Sequence, residues 1–597
     1  MTSSDPSSGR PLTRAFRRLS RLALIVVALG LALRAATYAM GYPIWGDEAS
    51  VVMSLVTRDF AGLVRPPLEY AQQAPLGYMW VELATVKCLG YSEWALRLPA
   101  FACGLVSLVA FWRFASRLVD RRSMLLAVAI LAASYYPVRH AAEVKPYAGD
   151  LLVSLVLTWL AWSVSRRLDS PGRWALLMLA AALAVWLSFP SAFVIGGLGV
   201  YLGWAILRAR SENVSRASCP RVPRPSRPQD MPPREDKMLS PLAGGTPVTC
   251  ANAFVGLTVM AVITAASFGA MYLLYARPHA QASLGYFSEE SQWAVSFPPF
   301  RRPWLLPWWL LEAHTGNMMA YPVGGKHFGS TATFLLVVTG CVSLWRKRRR
   351  DLLLLLLAPV AVTFLAAAMR KYPYGTSARV ALHMAPAFCL LAGVGLQAAI
   401  RRLSPRRLAP EVLRVAALVL AALAMSMLAV NVLQPYKRAD FSRNRQALRA
   451  LARQTSPGDQ WVVANSIAPT DYAPILESSC AVPFRFYAGR LSPAPVRWDL
   501  RPEQIPSVAG CTWLLYLQEP KLRDPNVLAV YMRGLQRGDP NQDARFEVYL
   551  RTLEDRLGTP GRQSFPLRDS GDGSPGPTIL AYEFHPPKGA ASRAGSP

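Results

Sequence analysis

Residues 42–50 read Tyr42-Pro43-Ile44-Trp45-Gly46-Asp47-Glu48-Ala49-Ser50, and they open the loop around which the rest of the chain is organised. The loop (42–91) follows a first hydrophobic segment (22–39) and precedes a second one that begins near Trp94. Asp47 and Glu48 are therefore predicted to lie at a membrane boundary, where ionisable side chains are costly and usually functional. The loop is also longer than a connector needs to be, which indicates a functional loop.

The composition predicts a membrane protein with many spans. Of 597 residues, 52% are hydrophobic and only 17% are charged, a balance too apolar for a soluble protein of this length. The net charge of +29 does not indicate nucleic-acid binding, because the basic residues cluster between apolar segments. That distribution is typical of cytoplasmic loops under the positive-inside rule. We therefore expect the lipid bilayer, and no nucleic acid, as a partner.

The apolar segments predict an α-helical polytopic fold with about eleven transmembrane helices, since about 20 apolar residues cross a bilayer. The predicted spans are 22–39, 94–114, 122–137, 147–164, 174–188, 192–207, 251–275, 331–345, 352–369, 380–400 and 415–433. With the amino terminus inside, every even-numbered connection is rich in arginine, as the positive-inside rule requires. The first loop and the carboxy-terminal segment are then on the extracytoplasmic side.

The predicted domains follow from these spans. Residues 1–20 form a basic cytoplasmic amino terminus, and 21–435 form the membrane domain, with outer loops at 41–93 and 276–330. A cytoplasmic insert (209–245) is rich in Pro, Arg and Ser and is predicted to be disordered. Residues 436–585 are predicted to form a small extracytoplasmic α/β domain, with a helix at 442–454 and strands at 461–464, 513–517, 546–550 and 578–584. Residues 586–597 are predicted to be a disordered tail.

Apolar residues in the first loop recur every three to four positions from Ala49 onward, which predicts an amphipathic helix in the membrane interface. Asp47 stands just before this helix, so two interpretations stay open. It is either an N-cap, with Glu48 favouring the positive end of the helix dipole, or a functional carboxylate.

A second charged cluster, Arg139-His140-Ala141-Ala142-Glu143-Val144-Lys145-Pro146-Tyr147-Ala148-Gly149-Asp150, lies on the predicted outer side. Cations are normally depleted there, so their presence needs an explanation. One interpretation is a set of local ion pairs, Arg139 with Glu143 and Lys145 with Asp150. The other is a binding site for an anionic phosphate at headgroup depth.

Four motifs together resemble the GT-C superfamily of membrane glycosyltransferases. They are Trp45-Gly46-Asp47-Glu48, Gln73-Ala74-Pro75-Leu76-Gly77-Tyr78, Ser92-Glu93-Trp94-Ala95-Leu96-Arg97-Leu98-Pro99 and Lys145-Pro146-Tyr147. The chain is most similar to the bacterial branch that includes the aminoarabinose transferase of lipid A and the protein O-mannosyltransferases (glycosyltransferase family 39 type). The resemblance covers about residues 22–433 and is strongest before Asp150.

The resemblance implies transfer of one sugar from a polyprenyl-phosphate-linked donor to an acceptor, on the outer face of the plasma (inner) membrane. The acceptor is a lipid, a glycan or a protein. Asp47 is the expected general base, with Glu48 and Asp150 as further acids of the catalytic site. The expected substrate-binding residues are Arg139, Lys145, Tyr147, Gln73 and Arg379. Of these, the three cationic side chains (Arg139, Lys145 and Arg379) are expected to stabilise the phosphate. With one acid well placed as base, we expect inversion at the anomeric carbon.

The motif at Gln72-Gln73-Ala74-Pro75-Leu76 departs from that pattern, because related transferases often have a basic pair there. The departure removes a phosphate-binding lysine and a potential metal ligand, so dependence on a divalent metal stays open. Glu312, His314, Lys326 and His327 lack a metal-binding spacing. The eight cysteines lack a C-x-x-C motif, and Cys480 and Cys511 are candidates for a disulfide if their domain is extracytoplasmic.

Two other classes of protein share some of these features. A transporter or lipid flippase would also have many spans, but it usually places ionisable residues near the bilayer midplane in two related halves. This chain concentrates its acids at the predicted outer rim and has no evident internal repeat. A non-catalytic scaffold that binds a partner through its carboxy-terminal domain is the third possibility.

Overall fold

The computed structural model describes residues 10–218, 250–282, 294–325, 328–375, 377–403, 439–463, 481–498, 502–506, 508–518, 542–566 and 578–586, together with isolated helical positions between 411 and 429. Three single residues lie outside this description: Lys326, His327 and Cys480. Most of the predicted insert, about half of the predicted last span and all but the first residue of the predicted tail lie outside it as well.

The described chain is mostly helical up to Leu403. Its helices are α1 (Arg10–Ala39), α2 (Gly46–Thr57), α3 (Leu76–Leu89), α4 (Glu93–Leu118), α5 (Arg121–Ala133), α6 (Tyr135–His140), α7 (Tyr147–Arg166), α8 (Pro171–Leu187), α9 (Ser191–Ser218), α10 (Cys250–Met271), α11 (Arg277–Ala282), α12 (Leu306–Thr315), α13 (Thr331–Arg346), α14 (Arg350–Ala368) and α15 (Ala385–Leu403). A π-helical turn, Tyr272–Ala276, joins α10 to α11.

Seven helical segments of the described chain are long and apolar enough to cross a membrane. They are Leu19–Ala39, Glu93–Leu118, Tyr147–Arg166, Ser191–Ser211, Ala251–Gln281, Arg350–Ala368 and Leu382–Arg402, and α8 and α13 are shorter apolar helices. Large hydrophobic side chains such as Val255, Val262 and Leu274 are more than half exposed, as expected of a surface that faces lipid. The multi-pass fold is confirmed, whereas the total of eleven spans stays a prediction.

Helix α5 lies at the centre of the membrane region. Every residue from Ser123 to Ala133 is buried, and the helix packs against α1 and α15. It ends at Ala133, and α6 follows, so the predicted span over 122–137 was too long. A helix enclosed by protein does not need to match the thickness of the bilayer. Glycines allow the close packing, since a Cβ built at Gly393 would lie 2.5 Å from the backbone nitrogen of Ala127.

The C-terminal region (residues 439–586) contains helices α16 (Ala439–Gln454), α17 (Ala481–Leu491) and α18 (Gln542–Leu557). It also contains strands β1 (Gln460–Val463), β2 (Val496–Trp498), β3 (Thr512–Gln518), β4 (Gly561–Pro566) and β5 (Thr578–Phe584) in one sheet of order β2-β1-β3-β5-β4. Strands β1, β2 and β3 are parallel, and β5 runs antiparallel between β3 and β4. The predicted helix and the strands near 461, 513 and 578 are confirmed.

The predicted strand at 546–550 was wrong, because these residues belong to α18. Phe546, Tyr549, Leu550 and Leu553 are all buried, and their spacing is that of one helix face. Val548, between them, is 66% exposed. The strand prediction followed β-branched and aromatic residue types and overlooked the helical period.

The C-terminal region packs directly on the first loop. The Tyr487 hydroxyl on α17 accepts a hydrogen bond from the Ile44 amide at 2.8 Å and donates one to Glu93 Oε1 at 3.1 Å. Arg445 on α16 donates to the same Glu93 oxygen at 2.9 Å. Ile44 also shares a hydrophobic core with Phe484. Helix α2 is therefore held between the membrane helices and the C-terminal region.

Candidate functional site

Helix α2 begins one residue before Asp47, so the N-cap interpretation of Asp47 was wrong. Trp45, with extended φ and ψ angles, is the N-cap, and Asp47 and Glu48 lie in the first turn. Neighbouring residues on a helix point about 100° apart. The two adjacent carboxylates consequently face different surroundings, one inside the protein and one toward a partly exposed site.

Glu48 faces inward and has no exposed surface. Its carboxylate accepts hydrogen bonds from Arg97 Nε at 2.8 Å and Arg97 Nη2 at 2.7 Å, a bidentate ion pair. The Val144 amide donates to Glu48 Oε1 at 2.9 Å. Glu48 therefore joins α2, α4 and the loop before α7, and its burial favours a supporting role over contact with substrate.

Asp47 points about 100° away from Glu48, and its side chain is 28% exposed. Arg379 Nη1 donates to Asp47 Oδ2 at 2.7 Å, and Lys145 Nζ lies 3.6 Å from Asp47 Oδ1. Lys145 is buried and also donates to Gln72 Oε1 at 3.0 Å. Asp47, Lys145 and Arg379, which the resemblance assigns to one site, therefore lie together, and with Gln72 they bring together four segments that are far apart in sequence.

The two cations determine the charge state of Asp47. Burial raises the pKa of the carboxyl, but Lys145 and Arg379 more than offset this, so the pKa of Asp47 lies below its usual value. For Lys145, burial has the opposite sign and lowers the pKa. The attraction of Asp47 only partly opposes this decrease. Asp47 is therefore an anionic carboxylate at neutral pH, held by a hydrogen bond from Arg379 and by the nearby charge of Lys145.

Of the two local ion pairs predicted for residues 139–150, one is present and one is not. Arg139 Nε donates to Glu143 Oε1 at 2.6 Å, and His140 Nδ1 lies 2.7 Å from the other Glu143 oxygen. The predicted partner of Lys145 was wrong, since Lys145 lies beside Asp47 and not beside Asp150. Arg139 also lies over the Trp45 ring, 5.9 Å from its centroid, so it borders the same site.

The remaining predicted site residues lie around this centre. Tyr147, the first residue of α7, packs edge-on against His140 with ring centroids 5.0 Å apart. Gln73 is half-buried beside Gln72, the residue that contacts Lys145. Asp150 is buried in the first turn of α7, and none of the contacts described for it reaches Asp47.

Two residues of the site were missed from the sequence. Arg97 stands in a predicted span, and a charge in such a position is itself a signal for a buried partner. Gln72 belongs to the motif that departs from the expected basic pair, and its amide oxygen accepts from Lys145 instead. His314, a residue weighed as a metal ligand, lies 3.1 Å from the Tyr374 hydroxyl, outside this site.

Residues 73–216 match the model of the family described as dolichyl-phosphate-mannose-protein mannosyltransferase. The resemblance to the GT-C superfamily of membrane glycosyltransferases is thereby confirmed for the segment that contains Gln73, Arg97, Arg139 and Lys145. No curated protein matches the chain.

Solved structures of membrane transferases are similar to most of the chain at low sequence identity. ArnT from Cupriavidus metallidurans bound to undecaprenyl phosphate is 13% identical, with a TM-score of 0.48 over 94% of this chain and 97% of that one. The Archaeoglobus fulgidus oligosaccharyltransferase in its apo form is 9% identical, with a TM-score of 0.46 over 93% and 74%. AglB from that organism, in complex with an inhibitory peptide and a dolichol-phosphate, is 10% identical, with a TM-score of 0.43 over 94% and 74%.

Replacing Glu48 by Gln is expected to destabilise the protein strongly. The change leaves Arg97 as a buried charge without its counter-ion, and such losses typically cost about 3–5 kcal/mol. The measurement is the thermal unfolding midpoint of the detergent-solubilised protein. The control is Glu69→Gln, which breaks the partly exposed Arg58–Glu69 pair in the same loop and should cost less than about 1 kcal/mol. Equal midpoints for both variants would show that the Glu48–Arg97 pair does not hold the loop.

Proposed function

We propose that this chain is an integral membrane glycosyltransferase that moves a single sugar from a polyprenyl-phosphate-linked donor to an acceptor on the extracytoplasmic face. Asp47 is the general base. The observation that carries the proposal is the contact of the Asp47 carboxylate with Arg379 at 2.7 Å and Lys145 at 3.6 Å. The match of residues 73–216 to a family named for a lipid-phosphate sugar donor supports the donor class.

The arrangement supplies both groups that the reaction needs. Asp47 removes the proton of an acceptor hydroxyl while that oxygen forms a bond to the anomeric carbon. The bond from the anomeric carbon to the phosphate oxygen breaks, and its electron pair stays on the lipid phosphate. Lys145 and Arg379 then stabilise the negative charge that develops on the phosphate. Arg139, at the border of the site, is a further candidate for this role.

Direct displacement with inversion fits this geometry better than a retaining route. A retaining route requires a carboxylate that attacks the anomeric carbon and forms a covalent intermediate. Glu48 is fully buried against Arg97, and Asp150 is buried within α7, so neither carboxylate is presented beside Asp47. Of these three carboxylates, Asp47 is the one that is both partly exposed and next to the proposed phosphate-binding cations.

Without a donor, the cations of the site are paired with Asp47, and this pairing has a chemical consequence. A carboxylate whose pKa is depressed is a weak base. When a lipid phosphate enters, its oxygens compete with Asp47 for Lys145 and Arg379. Asp47 then loses part of the attraction that lowers its pKa and becomes a stronger base. Donor binding in this way prepares the base, so that proton removal is coupled to occupation of the phosphate site.

Replacing Asp47 by Asn is expected to lower the rate of sugar transfer by about 10²–10⁴-fold, because the amide cannot take the acceptor proton. The measurement is transfer from labelled polyprenyl-phosphate sugars in purified membranes, at matched protein levels. The control is Asp59→Asn, because Asp59 is an exposed acid in the same loop. Its carboxylate accepts a hydrogen bond from the Gly62 amide. Equal transfer by Asp47→Asn and the wild type would show that Asp47 is not the base. In a separate assay, flux of substrate across sealed vesicles without any covalent product would favour a transporter.

Replacing Arg379 by Gln is expected to move the acid limb of the pH–rate profile to higher pH. Activity that needs the Asp47 carboxylate is lost as the pH falls through the pKa of that group, which lies below its usual value in the wild type. Without Arg379 that pKa rises, by about one unit for a charge at contact distance. The measurement is kcat/KM against pH, with Lys371→Gln, an exposed cation of the same segment, as control. An unchanged acid limb would show that Arg379 does not lower the pKa of the catalytic base.

A further inference from the structure

The end of the β3–β5 strand pair brings together three potential metal ligands. The antiparallel register pairs Thr512 with Phe584, which places Cys511 opposite His585 just beyond the strands. Glu583 lies two residues before His585, on the same face of the sheet. One ligand atom from each of Cys511, Glu583 and His585 lies within 4.8 Å of the others.

Two of the three ligand atoms already lie at the spacing of an assembled metal site. Cys511 Sγ lies 3.3 Å from His585 Nδ1. Zinc bonds of about 2.3 Å to sulfur and about 2.0 Å to nitrogen or oxygen set tetrahedral ligand atoms about 3.5 Å apart. The Cys511–His585 pair fits this spacing, and Glu583, within 4.8 Å of both, would need a side-chain rotation to complete the site.

The surroundings of Cys511 favour a cation. Asp459 accepts hydrogen bonds from the Cys511 amide at 2.7 Å and from the Ser456 amide at 2.8 Å, so a buried carboxylate fixes the backbone at this point. Glu583, a second carboxyl group near the thiol, adds to the acidic character of this end of the sheet. A divalent cation bound here stabilises the Cys511 thiolate, and the thiol proton goes to solvent.

We propose that Cys511, Glu583 and His585 form a binding site for one divalent transition metal ion of the zinc type. A thiolate, an imidazole and a carboxylate are a borderline-soft set, which suits Zn²⁺ or Co²⁺ and not Mg²⁺ or Ca²⁺. Three protein ligands leave a fourth position open for water or an added ligand. The bound ion crosslinks the ends of β3 and β5 and stabilises the sheet. The site is independent of the Asp47 centre and of the proposed transfer reaction.

The test is a titration of the full-length, detergent-solubilised protein with Co²⁺ alone, followed by Zn²⁺. The protein carries no polyhistidine tag and is kept reduced with a phosphine. We expect a thiolate-to-cobalt charge-transfer band that saturates at one ion per chain and disappears when Zn²⁺ displaces Co²⁺. Cys511→Ser should remove the band, and His585→Gln should weaken Co²⁺ binding at least about tenfold. The matched control, Cys88→Ser, alters an exposed cysteine on α3 and should leave the titration unchanged.

Thermal unfolding provides a second readout that does not depend on the spectrum. Zn²⁺ should raise the unfolding midpoint of the wild type and of Cys88→Ser, but not that of Cys511→Ser or His585→Gln. The proposal is overturned if the wild type shows no charge-transfer band, or if Cys511→Ser retains it. It is equally overturned if intact mass after alkylation shows Cys511 in a disulfide with Cys480 in the native protein.

Discussion

The buried ion pair between Glu48 and Arg97 is the contact on which the arrangement of the candidate site depends. Two charges without access to water are stable only when each satisfies the other, so the pair fixes α2 in one orientation against α4. The Val144 amide, in the loop before α7, donates a hydrogen bond to the same carboxylate. This contact holds the loop against α2. With Glu48 held inward, the helix geometry turns Asp47 toward Lys145 and Arg379. The position of the proposed base is thus a consequence of its buried neighbour.

The C-terminal region extends this arrangement from the other side. Tyr487 and Arg445 both contact Glu93, at the start of the helix that carries Arg97 one turn later. Tyr487 also binds the Ile44 amide, just before α2. The C-terminal region therefore supports both the start of α2, which carries Glu48, and the start of α4, which carries Arg97. This packing gives the C-terminal region a structural link to the candidate site, although it contributes none of the proposed catalytic groups.

The sequence predicted the parts of the fold and site that depend on local pattern or on motif order. Hydrophobic segments predicted the membrane helices, and the resemblance carried by the motifs around Asp47 and Lys145 assigned those residues to one site. Partners distant in sequence were harder to predict. Lys145 was assigned to nearby Asp150 as an alternative, and Arg97 was given no role. The start of α2 was placed too late because Asp47 is a common N-cap residue, whereas Trp45 is the cap. Such choices depend on tertiary contacts, which residue types alone do not specify.

The central claim is that Asp47 and the donor phosphate compete for the same two cations. The most direct test is the affinity of the solubilised protein for a polyprenyl phosphate without sugar, measured by isothermal titration for the wild type and Asp47→Asn. Because the amide no longer competes for Lys145 and Arg379, Asp47→Asn should bind the lipid phosphate more tightly than the wild type while it fails to transfer sugar. Equal or weaker binding by Asp47→Asn would contradict the account, since the phosphate would then not occupy the cations that hold Asp47.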